Sequence, residues 1–106
     1  MPVVVVTGMF PPDKGPEIGL IGQKIQEKFP RDESLGTPLL PAVYSSNLEG
    51  IISISAFQPA EGKLAEVLAR ASDMMSMFHG VVGARYEIKT FMTAEEIAAS
   101  AARLQE

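Results

Sequence analysis

Apolar and polar residues alternate along this chain in two rhythms, a strand-like period of two and a helix-like spacing of three and four. The run Val3-Val4-Val5-Val6-Thr7 is β-branched throughout, which suits a strand covered on both faces and therefore central in a sheet. Residues 8–15 carry Pro11 and Pro12 and read as a loop. Pro16 then suits a first helical position, with Glu17 complementing the helix dipole. Ile18, Ile21, Ile25 and Phe29 recur at helical spacing while Lys24, Gln26, Glu27 and Lys28 stay off that stripe, predicting an amphipathic helix that Pro30 ends. Residues 31–41, with Gly36, Pro38 and Pro41, read as a connector into a second strand at residues 42–45. Proline has no N–H for a sheet ladder, so Pro41 puts that strand at an edge or lies just outside it.

Turn chemistry at residues 46–50 joins the second strand to a third, residues 51–57, as a hairpin. After Pro59 a second helix is predicted to about His79, with Leu64, Val67, Leu68, Ala71, Met74, Met75 and Phe78 on one broad face and Gly80 as its C-terminal cap. Residues 86–91 alternate as a fourth strand. Thr93 and Glu96 form a capping box, and Met92 and Ile97 a hydrophobic staple, so a last helix starts at Ala94. The order strand, helix, strand, strand, helix, strand is met most simply by an α+β, ferredoxin-like sandwich. Its four-stranded antiparallel sheet has both main helices on one face, and a C-terminal helix is appended. The whole chain, residues 1–106, reads as one domain. The other sheet face would then carry apolar atoms from Val4 or Val6 and from Phe57 or Phe91, and something should cover it.

Composition narrows the function classes. A content of 46% hydrophobic and 21% charged residues rules out a disordered chain. With nine basic and thirteen acidic residues, a net charge of −4 and no basic cluster, the electrostatic footprint of a nucleic-acid binder is missing. The apolar run at Val3 to Val6 falls far short of the roughly 20 residues a membrane span needs and has no basic flank. No membrane partner is expected, and the expected location is cytoplasmic. With no cysteine and one histidine, thiol nucleophiles, thiolate metal sites and His-rich metal sites are excluded within one chain. No cofactor is expected.

The element order and the ending Tyr86-Glu87-Ile88-Lys89-Thr90-Phe91-Met92-Thr93-Ala94-Glu95-Glu96-Ile97 resemble the dimeric α+β barrel superfamily, in which two ferredoxin-like sheets pack face to face. The closing strand followed by Thr-Ala-Glu-Glu is similar to the small GYD-type domains. The Gly-Tyr-Asp signature is absent, and Asn47-Leu48-Glu49-Gly50 stands at the corresponding hairpin. The resemblance implies a homodimer with a pocket between sheet and helices. It implies no single reaction, because enzymes and binding proteins share that frame.

Candidate chemistry is sparse. The loop around Gly8-Met9-Phe10-Pro11-Pro12-Asp13-Lys14-Gly15 lacks the histidines of a nucleotidyltransferase and the Gly-Lys-Ser/Thr of a phosphate-binding loop. Gly15, Gly19 and Gly22 line the first helix, and internal glycines at about 1 kcal/mol each relative to alanine call for compensation, expected as close backbone packing against the sheet or a neighbouring subunit, with approach of a ligand as the alternative. His79 is the only side chain whose ordinary pKa lies near neutrality and the one candidate general base. The dipole at a helix end stabilises a histidine without any chemistry, and that is the simpler explanation. Tyr44, Arg85 and Tyr86 are candidates for holding a polar ligand, although Arg85, Glu87 and Lys89 share one strand face where ion pairing is the simpler explanation. Met74 and Met75 suit a core, with Met77 off their stripe. Adjacent Glu95 and Glu96 point apart on a helix.

The sequence therefore suggests a homo-oligomeric, dimeric ferredoxin-like protein acting as a small-ligand binding or assembly module with no assignable reaction. The alternative is a cofactor-independent small-molecule enzyme of monooxygenase or isomerase type, with His79 as base and Tyr44 or Arg85 holding an anion or carbonyl.

Overall fold

The computed structural model of the chain describes residues 2–105. Its regular elements are strand β1 (Val3–Phe10), helix α1 (Gly15–Lys28), strands β2 (Gly36–Asn47) and β3 (Gly50–Pro59), helix α2 (Leu64–Ser76), strand β4 (Arg85–Phe91) and helix α3 (Ala94–Leu104). The strands form one antiparallel four-stranded sheet in the order β2-β3-β1-β4. β1 is flanked on both sides, as its β-branched run predicts, and continues past Thr7 to Phe10 through residues expected in a loop. The reason is register: Gly8, Met9 and Phe10 pair with Ser53, Ile52 and Ile51. The remaining proline segment folds into a short 3-10 turn, Pro12–Lys14.

β2 is an edge strand, where Pro41 requires no ladder donor. It is longer than predicted because pairing resumes on both sides of irregularities between Pro38 and Leu40 and between Leu40 and Val43. Those breaks absorb the prolines and bend the strand. The hairpin closes with Asn47 Oδ1 accepting from the backbone N–H groups of Glu49 (2.8 Å) and Gly50 (3.1 Å). Gly50 itself has φ 148° and stands against the Phe10 carbonyl, a place no side chain fits.

Val4, Val6 and Phe10 meet the helices. One core cluster joins Phe10, Ile18, Met75, Phe78 and Val81, and a second joins Val4, Leu35 and Val67, with Phe57 and Ile88 packed against it. The Phe10 and Phe78 rings lie 4.9 Å apart, tilted by 51°. Gly8 makes this possible, since a Cβ there would stand 2.9 Å from the Phe10 ring and 2.6 Å from Ser53 Oγ. The opposite sheet face carries Val3, Val5, Thr7 and Met9, with Ile54, Val43 and Phe91 exposed beside them. Phe91 is thus on the open face as expected, but Val4, Val6 and Phe57 belong to the helix side, because Val4 stands opposite Phe57 and both pack with Val67 of α2.

Helix α2 ends at Ser76, short of His79. The chain continues through three-residue turns, with the N–H groups of Phe78 and His79 donating to the Met75 and Ser76 carbonyls, and the C-cap is Met77, not the expected Gly80. At α3 the predicted capping box is present: Thr93 Oγ1 accepts from the Glu96 N–H, and Glu96 Oε1 accepts from the Thr93 N–H at 3.0 Å. No α3 side chain is buried, and Met92, Ile97 and Leu104 are exposed.

Candidate functional site

The helix-covered face of the sheet is unevenly filled. Beneath α1 and α2, on the β2 side, lies a cavity of about 510 Å3, within the roughly 300–1,000 Å3 typical of small-molecule sites. Ser53 and Ser55 stand opposite Gly8 and Val6 of β1 and so face the helices. Gly22, Ile25 and Phe29 form the α1 wall, Ala71 and Met74 the α2 wall, and Ala42 and Tyr44 the β2 rim. The void follows from side-chain volume: Gly22, Ala42, Ser53 and Ser55 reach the space from three elements, and none is large enough to fill it. Among the described residues, the hydroxyls of Tyr44, Ser53 and Ser55 have no hydrogen-bond partner in the chain, so an apolar recess holds donors and acceptors open to an incoming group.

A shallower groove of about 380 Å3 runs alongside, between α1 and the β2–β3 hairpin, and it shares Gly22, Gln26 and Tyr44 with the cavity. Gly15 and Gly19 continue its wall. Close backbone packing, expected for these glycines, is not found within the chain. A Cβ at Gly19 or Gly22 would meet nothing within 4 Å, and at Gly15 only Ile51 Cδ1 at an ordinary 3.8 Å. The bent edge strand leaves α1 standing away from β2, and the glycines face that gap.

Three charged groups mark the mouth of the cavity: Arg31, Asp32 and Arg70. Asp32 caps the short turn Glu33–Leu35, accepting from the Ser34 N–H at 3.0 Å and from the Ser34 hydroxyl. The Ser34 hydroxyl and N–H hold its carboxyl below the usual range against the opposing effect of burial, with a smaller contribution from Arg70. Arg31 lies 3.9 Å from Glu33. The Arg70 guanidinium sits 5.5 Å from the centre of the Phe29 ring and donates to the Pro30 carbonyl.

The predicted site residues fall into three places. Tyr44 is at the junction of cavity and groove, 59% exposed. His79 and Tyr86 are together elsewhere: His79 Nε2 is 3.1 Å from the Tyr86 hydroxyl and the rings stack at 5.8 Å, but His79 is exposed and neither residue lines the cavity or the groove. Arg85 is on the opposite sheet face, donating to Met9 Sδ at 3.2 Å, near a Lys89–Glu87 pair at 2.8 Å. Met75 is buried and Met74 lines the cavity.

Sequence reasoning missed Ser53, Ser55 and Arg70. The signal for the serines was present, since they interrupt an otherwise apolar strand at two positions of the same face. Among the described residues no cluster of three or more His, Cys, Asp or Glu is placed to hold a metal ion, and no helix is long and apolar enough to cross a membrane. Scans against protein-family models, curated proteins and solved structures found no match to this chain.

Proposed function

We propose that the chain is a homo-oligomeric module, a dimer of ferredoxin-like sandwiches of the α+β barrel type, that binds a small organic ligand in the cavity beneath α1 and α2. The strand order β2-β3-β1-β4 is compatible with that plan. The observation that carries ligand binding is the cavity itself: about 510 Å3 of largely apolar space into which Tyr44, Ser53 and Ser55 bring unpartnered hydroxyls. An open apolar recess leaves its lining atoms short of contacts, which a ligand that fills it supplies.

Oligomerisation is supported by two apolar surfaces that the chain leaves uncovered, the sheet face bearing Val43, Ile54 and Phe91 and the apolar stripe of α3. A second copy would shelter both, and a face repeated on each subunit suits a twofold interface. His79 lines neither recess, so the ligand-binding reading does not draw on it.

Calorimetric titration with octan-1-ol tests the cavity, with saturable one-to-one binding expected. Absence of binding at millimolar concentration overturns ligand binding there. Light scattering tests assembly: about twice the 11.4 kDa chain mass is expected, and a monomer at micromolar concentration overturns it.

A further inference from the structure

The cavity lining carries a cation that forms no close ion pair, although it acts weakly on Asp32 at longer range. Each of Lys14, Arg31, Lys63 and Lys89 lies within 4 Å of a glutamate. Arg70 is half-buried and, among the described residues, forms no ion pair. Asp32, which shares the rim, engages Ser34 instead. The Arg70 guanidinium is fixed by the Phe29 ring at 5.5 Å and by one hydrogen bond to the Pro30 carbonyl. A guanidinium has five N–H donors in a rigid planar fork, so one fixed bond leaves donors for a second, bidentate acceptor. The same recess is lined by apolar side chains, Ile25 and Met74 among them.

An apolar recess with a pre-positioned guanidinium at its mouth matches one ligand chemistry. Resting on the small-ligand reading above, we propose that the cavity takes an amphipathic organic carboxylate, its hydrocarbon body against Ile25, Phe29 and Met74 and its carboxylate on Arg70. Planar carboxylate and planar guanidinium pair through parallel hydrogen bonds, which are stronger than neutral ones and favour arginine over lysine. The chain's net charge of −4 works against anions at long range, so selectivity for the carboxylate has to come from this contact.

The test compares octanoate with octan-1-ol, ligands of matched chain length, by calorimetry on the intact chain and on Arg70→Gln and Arg70→Lys. Wild type is expected to bind octanoate at least about tenfold more tightly than octan-1-ol, the increment of a charge-assisted contact. Arg70→Gln removes that preference and leaves octan-1-ol within about threefold, while Arg70→Lys keeps part of it. Equal wild-type affinities, or an octanoate preference intact in Arg70→Gln, overturn the carboxylate assignment while the cavity reading stands. If wild type binds neither ligand, the cavity reading falls first. Should Arg70→Gln fail to fold by circular dichroism, the wild-type ratio and Arg70→Lys decide.

Discussion

Two halves of one sheet face are built differently here. Beside β4, Phe10 and Val81 are at most 3% exposed, and Phe78, at the border with the recess, lays its ring against Phe10. Beside β2, the same layer of helices spans the same sheet over about 510 Å3 of space. The backbone plan is shared, so side-chain size makes the difference. β1 and the tail of α2 bring aromatic rings to the first half, whereas β3 brings Ser53 and Ser55, β2 brings Ala42 and α1 brings Gly22 to the second. A small domain has little stability to spare, so how each half is filled should be readable in its response to substitution.

Substitutions at matched places should separate the halves, most strongly in the filled one. Phe10→Ala is expected to lose roughly 3–5 kcal/mol in urea denaturation, because it empties the centre of the packed cluster. A loss below about 1 kcal/mol would mean that this half is loosely packed too. Gly8→Ala follows at roughly 1–3 kcal/mol, since its methyl would press on Phe10 and Ser53. The same change at Gly22, with nothing within 4 Å, has the opposite sign and should stabilise by about 1 kcal/mol through helix propensity alone. Opposite signs for one added methyl would confirm the contrast directly, and like signs would break it.

Smaller effects belong to the capping sites. Thr93→Ala should weaken α3 by about 1 kcal/mol, readable as faster amide exchange in α3 alone. Asp32 and Glu96 are held below the usual carboxylate range, Asp32 chiefly by the Ser34 hydroxyl and Glu96 chiefly by the Thr93 N–H. A carboxyl lowered in the folded state stabilises above its unfolded value, and that contribution disappears as pH falls through the folded value. Stability should therefore decline below about pH 4, and Asp32→Asn with Glu96→Gln should flatten that decline.

Much of the fold was legible because it is local. The capping box at Thr93, the proline stop after Phe29 and the Asn47 turn are written in neighbouring residues. Extension of β1 to Phe10 and of β2 back to Gly36 was hidden, because pairing with β3 decides it against local turn propensity. Of the candidate site, Tyr44 alone reached the cavity. His79 and Arg85 drew notice for their chemistry, and chemistry says nothing about which side of a sheet or which end of a helix a residue occupies. The glycines of α1 were visible, but whether they face a packed neighbour or an open space depends on the bend in β2, which is a tertiary property.

The most direct measurement is an amide and methyl chemical-shift titration of the intact chain with octan-1-ol. Saturable shifts confined to Gly22, Tyr44, Ser53, Ser55 and Met74, with Phe10 and Val81 unmoved, are expected if the unfilled half is a ligand site. Shifts that never saturate, or that spread instead over Val5 and Thr7 on the opposite sheet face, would contradict it.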